Sequence, residues 1–321
     1  MIFLQVIKDI IKMLMTEEKC MNKQPILIDT DPGVDDAFCL AIGCGFSEYF
    51  DLKAVTTIGG NNATDITTRN ALDLLKLYHR DDVRVGRGSD SYLEKEFDKP
   101  VEKFHGKNGL GNAIIPHSDR KPDELKACDL IYEVARECNG ELIIVTVGPE
   151  TNLALALLKY PDLKHLIKKF VVMGGSTDKG NVTPYAEANI IHDEKAAEIV
   201  FSSGVPLDMI GLNATHLTKL PRDVFDGLAT DTRDDVKEFL QKLIDFRNGE
   251  PMHDAVAIAT LISDFVTFKD AYCYVETKDP MHIGQTVCDV NSNNPNVRVA
   301  VDIDLNGYYQ VIGEMLKCYR K

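Results

Sequence analysis

Short apolar runs rich in β-branched residues alternate with helix-length periodic segments along this chain, and that alternation admits few folds. It is the pattern of strand–helix–strand units around a mostly parallel sheet. Strands are predicted at Pro25–Asp31, Leu52–Thr57, Val83–Val85, Glu141–Val147, Phe170–Met173 and Pro206–Ile210. Helices are predicted between them at Asp35–Gly45, Ala63–Tyr78, Glu124–Glu137, Asn152–Leu158 and Glu194–Ser202. Toward the C-terminus, Arg233–Arg247, Asp254–Ile262 and Leu305–Tyr319 read as helices, and Ala271–Glu276 and Val297–Asp302 as strands. No internal repeat, low-complexity linker or composition break divides the chain. The expectation is one α/β domain over residues 25–321, a mostly parallel central sheet flanked by helices with a Rossmann-like core.

Composition narrows the function. With 321 residues, 44% of them hydrophobic, the chain can bury a large core. Lys and Arg total 36 against 50 for Asp and Glu, a formal charge of −14. Nucleic acid is bound mainly by concentrated positive charge, so a polymer of it is not an expected partner. The eight cysteines are scattered, with no Cys-x-x-Cys and no Cys/His cluster at zinc spacing, and read as reduced, mostly buried thiols of a cytoplasmic protein. Residues 1–24 are partly apolar, but Lys8, Asp9 and Lys12 interrupt them and no small-residue cleavage site follows. They are expected to be an N-terminal extension rather than a signal peptide: a short amphipathic helix, a disordered segment or an upstream start. No other segment approaches a membrane span.

The chemistry concentrates in Asp29-Thr30-Asp31-Pro32-Gly33-Val34-Asp35-Asp36-Ala37. Ile26-Leu27-Ile28 is an uninterrupted apolar run, so Asp29 and Asp31 arrive at the end of a buried strand, Pro32 and Gly33 turn the chain, and Asp35 and Asp36 open a helix. Ligands of open α/β sheets sit at the carboxyl ends of strands. Carboxylates crowded into a partly buried cleft repel one another, and protonation, basic partners or a cation must relieve the repulsion. No Lys or Arg is near in sequence, and a set of carboxylates and carbonyls suits Ca²⁺ better than Mg²⁺, which keeps its waters. Helix capping would account for Asp35 and Asp36 but not for Asp29 and Asp31 as well. A second feature is the long unpatterned stretch over residues 86–121, which carries Gly106, Gly109 and Gly111 and reads as a functional loop.

The acidic run resembles the signature of the inosine–uridine-preferring nucleoside hydrolase family. Further motifs follow in the family's order: Thr56-Thr57-Ile58-Gly59-Gly60-Asn61, His105-Gly106 with Gly109-Leu110-Gly111, Val147-Gly148-Pro149 with Thr151-Asn152-Leu153-Ala154, Met173-Gly174-Gly175, Gly180-Asn181, Glu187-Ala188-Asn189 and His253-Asp254-Ala255. The resemblance spans essentially the whole chain after residue 24. It implies hydrolysis of the N-glycosidic bond of a ribonucleoside to free base and ribose, by a cytoplasmic homodimer or homotetramer that engages no membrane.

The same resemblance implies roles for residues. Asp31, Asp36, Asp254 and the carbonyl of Val147 would hold Ca²⁺, which would also take the ribose hydroxyls and a water whose pKa it lowers. Asp31 would be the general base. Asp35 and Asn189 would hydrogen-bond the ribose hydroxyls, Asn181 and Glu187 the 5′-hydroxyl, and Asn61 would line the sugar pocket. His253 would protonate the departing base, and His105 would contact it. Each has a plainer alternative: an N-cap for Asp254, a structural neighbour of that cap for His253, a surface histidine for His105, turn formers for the asparagines, a solvated helix acid for Glu187. His79, His117, His165, His192, His216 and His282 have no partner pattern.

Some members of the family carry an aromatic residue at the position of Ala188, so the pocket is expected to be roomier there. The chain has no tryptophan, which excludes base stacking on an indole. Two other classes compete. A haloacid dehalogenase-like phosphatase also starts with a strand and Asp-x-Asp, but no late Gly-Asp-x-x-x-Asp motif follows. A non-catalytic calcium or nucleoside binder is the other, although an EF-hand loop starting at Asp29 would place Leu40 where Glu is needed.

Overall fold

The run Ile26-Leu27-Ile28 lies in an interior strand of a nine-stranded sheet, fully buried on both faces. The computed structural model describes residues 23–321, so the predicted extension lies outside the described residues but for its last two. The strands are β1 (Gln24–Thr30), β2 (Phe50–Thr57), β3 (Arg84–Arg87), β4 (Leu142–Thr146), β5 (Ile167–Met173), β6 (Leu207–Ile210), β7 (Val266–Val275), β8 (Thr286–Asp289) and β9 (Val297–Ile303). Their order across the sheet is β3-β2-β1-β4-β5-β6-β9-β7-β8. All neighbours from β3 through β9 are parallel, and β7 and β8 run antiparallel at one edge.

The helices of the described residues are α1 (Asp36–Gly45), α2 (Thr64–Leu77), α3 (Glu102–His105), α4 (Ala127–Cys138), α5 (Thr151–Lys159), α6 (Ala188–His192), α7 (Glu194–Phe201), α8 (Leu212–Thr215), α9 (Arg222–Leu228), α10 (Asp234–Arg247), α11 (His253–Ala259) and α12 (Leu305–Cys318). Because side chains alternate along a strand, Ile26 and Ile28 enter one core with Phe38, Val256 and Tyr308, while Leu27 enters the other with Ile131, Ile144 and Phe170. The result is the single α/β domain expected from the alternation. No helix among the described residues is long and apolar enough to cross a membrane.

Differences from the sequence reading fall where the hydrophobic signal is weak. Strand β7 begins at Val266 rather than at Ala271, because its first residues are half-buried or exposed. Strand β8 and the short helices α3, α6, α8 and α9 are too brief for periodicity to mark. The cysteine expectation is corrected: Cys273 and Cys288 form a disulfide. They stand directly opposite each other on the antiparallel pair β7–β8, a neighbourhood set by hairpin register that no spacing motif announces. Of the described free thiols, Cys39 and Cys44 are buried, Cys128 and Cys138 half-buried, and Cys318 exposed.

Candidate active site

Strands β1, β2, β4, β5 and β6 all end on one edge of the sheet, and the segments that follow them converge there. Asp31 follows β1, Asn61 follows β2, Val147 follows β4, and the loop after β5 leads to Asn181, Glu187 and Asn189. Helix α11 packs beside α1, and their first turns bring Asp254 to Asp36. Asn61, Val147, Asn181, Glu187, Asn189 and Asp254 line a cavity of about 250 Å³, into which Asp35, His105, His253 and Arg247 also face, while Asp31 and Asp36 lie buried behind its wall, both hydrogen-bonded to Asn61.

The acidic run is divided by its hydrogen bonds. Asp29 lies behind the site: its Oδ1 accepts from Thr56 Oγ1 and Asn152 Nδ2, and burial pushes it up to about 7 against the pull of those donors. Asp31 Oδ2 accepts from the Asn61 amide at 2.6 Å, while its Oδ1 is buried without a partner. Asp36 accepts from Thr30 Oγ1, from the Gly33 amide at 2.8 Å and from Asn61 Nδ2 at 3.0 Å. The Asp35 side chain makes no helix cap, and its Oδ1 is buried and unpartnered too. Two glycines are required by close approach: a Cβ at Gly60 would stand 2.1 Å from Asp31 Oδ2, and one at Gly33 2.2 Å from His105 Nδ1.

Electrostatics repeat the message of the geometry. Burial, then repulsion from Asp36 and Asp35, pushes Asp31 well above the usual carboxylate range. Burial and Asp35 push Asp36 to about 6. Burial and the same neighbours raise Asp254, which lies close enough to Asp36 to share a proton with it. Asp35 ends low: burial raises it, but the Arg247 guanidinium and the His105 and His253 rings pull it down further. Oxygen atoms of Asp35, Asp36 and Asp254 lie within 4.8 Å of one another, the one such metal-competent group among the described residues. Asp31 stands outside that group, turned onto Asn61. A cation is a chemical fit for these residues, since it would replace the protons and satisfy the orphaned oxygens.

The side expected to take the sugar is equally defined. Glu187 is a buried N-cap of α6, not a solvated acid: its Oε2 accepts from the Gly175 and Ile190 amides, and burial raises it to about 7. Asn189 Nδ2 donates to the carbonyls of Val147 and Met173 at 3.2 and 2.9 Å. Asn181 Oδ1 accepts from the Ala188 amide. Asp254 is not an N-cap, since Met252 holds that position.

The other side carries the histidines. His105 is buried rather than a surface residue, and its Nδ1 accepts from the Val34 amide at 3.2 Å. His253 Nδ1 lies 2.7 Å from Thr215 Oγ1, and its ring meets His216 edge-on. Burial pushes both His105 and His253 down to about 4, with Asp35 pulling up and Arg247 pushing further down. His192 and His216, for which the sequence offers no role, line the cavity. So do Arg247 and Glu250, which sequence reasoning missed; they follow one another across a turn built by Asn248 and Gly249 at positive φ, and no motif links them to His253.

Similar proteins share this architecture. The sequence profile of the family described as inosine-uridine preferring nucleoside hydrolase matches residues 26–310. The pyrimidine-specific ribonucleoside hydrolase RihA of Enterobacter sp. (strain 638) is 37% identical over 306 residues, covering 91% of this chain and 97% of its own. Among solved structures, a plant nucleoside hydrolase, the PpNRh1 enzyme, superposes with a TM-score of 0.85 at 30% identity over 92% of this chain and 99% of its own. The purine-preferring ribonucleoside hydrolase from Gardnerella vaginalis matches with the same score, identity and coverage. The chain therefore belongs to the inosine-uridine preferring nucleoside hydrolase family and is a hydrolase acting on N-glycosyl compounds.

Proposed function

We propose that this protein is a calcium-dependent ribonucleoside hydrolase that releases free base and ribose, with Asp31 as general base and His253 as the acid for the leaving group. The carrying observation is the buried cluster of Asp35, Asp36 and Asp254, whose oxygens lie within 4.8 Å of one another at the cavity wall, with Asp31 joined to Asp36 through Asn61 and the Oδ1 atoms of Asp31 and Asp35 unsatisfied. Asp31, Asp36, Asp254 and the Val147 carbonyl would hold the ion; that carbonyl accepts one hydrogen bond from Asn189 and has a second lone pair to give. Ca²⁺ bound there would fix the ribose hydroxyls and acidify the attacking water.

The chain's own residues do the rest. Asp31, held by the Asn61 amide through one oxygen, takes the water's proton on the other. Asp35 and Asn189 orient the ribose hydroxyls, Asn181 and Glu187 the 5′-hydroxyl, and Asn61 closes the sugar pocket. The surrounding carboxylates favour the positive charge that grows on the sugar as the bond breaks. Thr215 occupies Nδ1 of His253 and leaves Nε2 for the base, with His105 beside it. Burial holds the His253 ring down to about 4, and negative charge growing on the departing base favours a proton on that ring, taken from solvent and passed from Nε2 to the base.

The reading extends to a cytoplasmic homodimer or homotetramer, as the family resemblance implies, serving nucleoside salvage. Because the relatives named pyrimidine-specific match at 37% identity and the purine-preferring one at 30%, uridine and cytidine head the substrate panel. The test measures free base and reducing sugar released from purine, pyrimidine and modified ribonucleosides, with and without a calcium chelator. Base release abolished by chelation and restored by Ca²⁺ is expected. Saturable binding without base release, or turnover indifferent to the chelator, overturns the reading.

A further inference from the structure

We propose that Arg247 is a catalytic residue of this reaction: its guanidinium steadies the negative charge that builds on the departing base as the C1′–N bond breaks. The inference rests on the hydrolase reading above and adds a group that the family motifs do not contain.

Three observations carry it. Arg247 is the last residue of α10, lines the cavity, and is only 7% exposed. It is the one permanent cation among the residues lining that cavity; the other basic side chains there are imidazoles, whose charge comes and goes. Its Nη2 donates to the Pro251 carbonyl at 2.6 Å, an anchor that fixes the fork, while its Nε is buried without a partner. A buried guanidinium with an unsatisfied donor is costly unless an acceptor arrives. Arg247 lies close enough to Asp35, His105 and His253 to act on all three, which groups it with the two histidines at the end of the cavity we assign to the base.

The chemistry at that end needs an acceptor-seeking cation. Water adds to C1′ and yields its proton to Asp31; the C1′–N electron pair leaves with the base, which then takes a proton from His253. Until that proton arrives, the charge is spread over the ring nitrogens and any exocyclic carbonyl oxygen. A guanidinium offers planar N–H donors to such acceptors and carries its charge at every working pH. Arg247 also lies near enough to Asp35 to pull that carboxyl down, so the rival role is purely to position Asp35 on the ribose. The two roles differ in what they make the rate depend on.

The test compares kcat and KM of wild type, R247Q and R247K on uridine, inosine and p-nitrophenyl riboside in saturating Ca²⁺. Removing a preorganised charge aimed at the leaving group should cost R247Q on the order of 10²–10³ in kcat on the natural nucleosides. On p-nitrophenyl riboside, whose leaving group carries its own charge, the loss should stay below about tenfold, and R247K should recover part of the nucleoside rate. The same factor lost on every riboside, or a rise in KM alone, overturns the inference and leaves Arg247 as a holder of Asp35. R247K, which keeps the charge but not the fork, gives the same comparison where R247Q does not fold. A wild type that frees base from no riboside overturns the hydrolase reading itself, a result distinct from either.

Discussion

The two ends of the cavity are built on different principles. At the end we assign to the sugar, three polar groups are held at least twice: Asp36 by Thr30, Gly33 and Asn61, Glu187 by two backbone amides, Asn189 by two carbonyls. Asp36 opens α1 after the turn that leaves β1, and Glu187 and Asn189 are held at the start of α6, in the segment that follows β5. The end we assign to the base has fewer anchors: His105 ends α3, Arg247 ends α10 and His216 follows α8, and each makes at most one side-chain hydrogen bond among the described residues. A reaction common to a family can be fixed in the first region while base preference varies in the second. The relatives named for opposite base preferences, one pyrimidine-specific and one purine-preferring, fit that division.

The largest expected effect breaks the sugar end. Asp31→Asn should lower kcat by at least ~10³-fold on every riboside, natural or activated, because the proton acceptor serves all leaving groups alike. Free-base release by D31N near the wild-type rate would remove Asp31 from the mechanism. His253→Ala tests the base end and should cost roughly 10²-fold on natural nucleosides while sparing p-nitrophenyl riboside. Equal losses on both would return His253 to the structural role its Thr215 contact allows. Glu187→Gln should be milder, about tenfold in kcat/KM, with the loss absent for a 5′-deoxynucleoside. A loss of the same size on the 5′-deoxy substrate would mean that Glu187 acts only as the cap of α6.

The same division governs what the sequence discloses. Ile26-Leu27-Ile28 followed by four aspartates is a local pattern, and both the buried strand and the two carboxylates of the cluster it supplies, Asp35 and Asp36, could be read from it. Glu187 and Asn189 were legible only through the ordered family motifs, since an acid before Ala and Asn looks like any exposed helix start. Arg247 and His216 were not legible at all. Each reaches the cavity because a long-range packing of α10 and α8 against the site brings it there, and neither has a neighbour in sequence that hints at it. The pairing of Cys273 with Cys288 was hidden for a related reason, as it depends on the register of an edge hairpin whose second strand has four residues.

The smallest expected effect concerns stability rather than rate, and it separates the ends by their charge. Burial raises Asp29 and Glu187 to about 7 and Asp36 to about 6, from ordinary values of 3.8, 4.5 and 3.8. Between those ordinary values and the raised ones, these groups hold more protons in the folded protein than in the unfolded chain, so their contribution to stability falls as pH rises through this window. The chelated protein should therefore melt higher at pH 5 than at pH 7.5 in calorimetry. Three histidines, His105, His192 and His253, held down by burial to about 4, oppose this within the window, but six buried acids, Asp29, Asp31, Asp36, Glu150, Glu187 and Asp254, are held up there. Acids whose ion pairs hold them low, such as Asp82 and Asp123, oppose it only below the window. Ca²⁺ competes with protons for the same buried oxygens, so its stabilisation should be larger at pH 7.5 than at pH 5. A calcium-induced shift independent of pH would place the ion away from Asp31, Asp36 and Asp254, and the contrast between the two ends would then rest on hydrogen bonding alone.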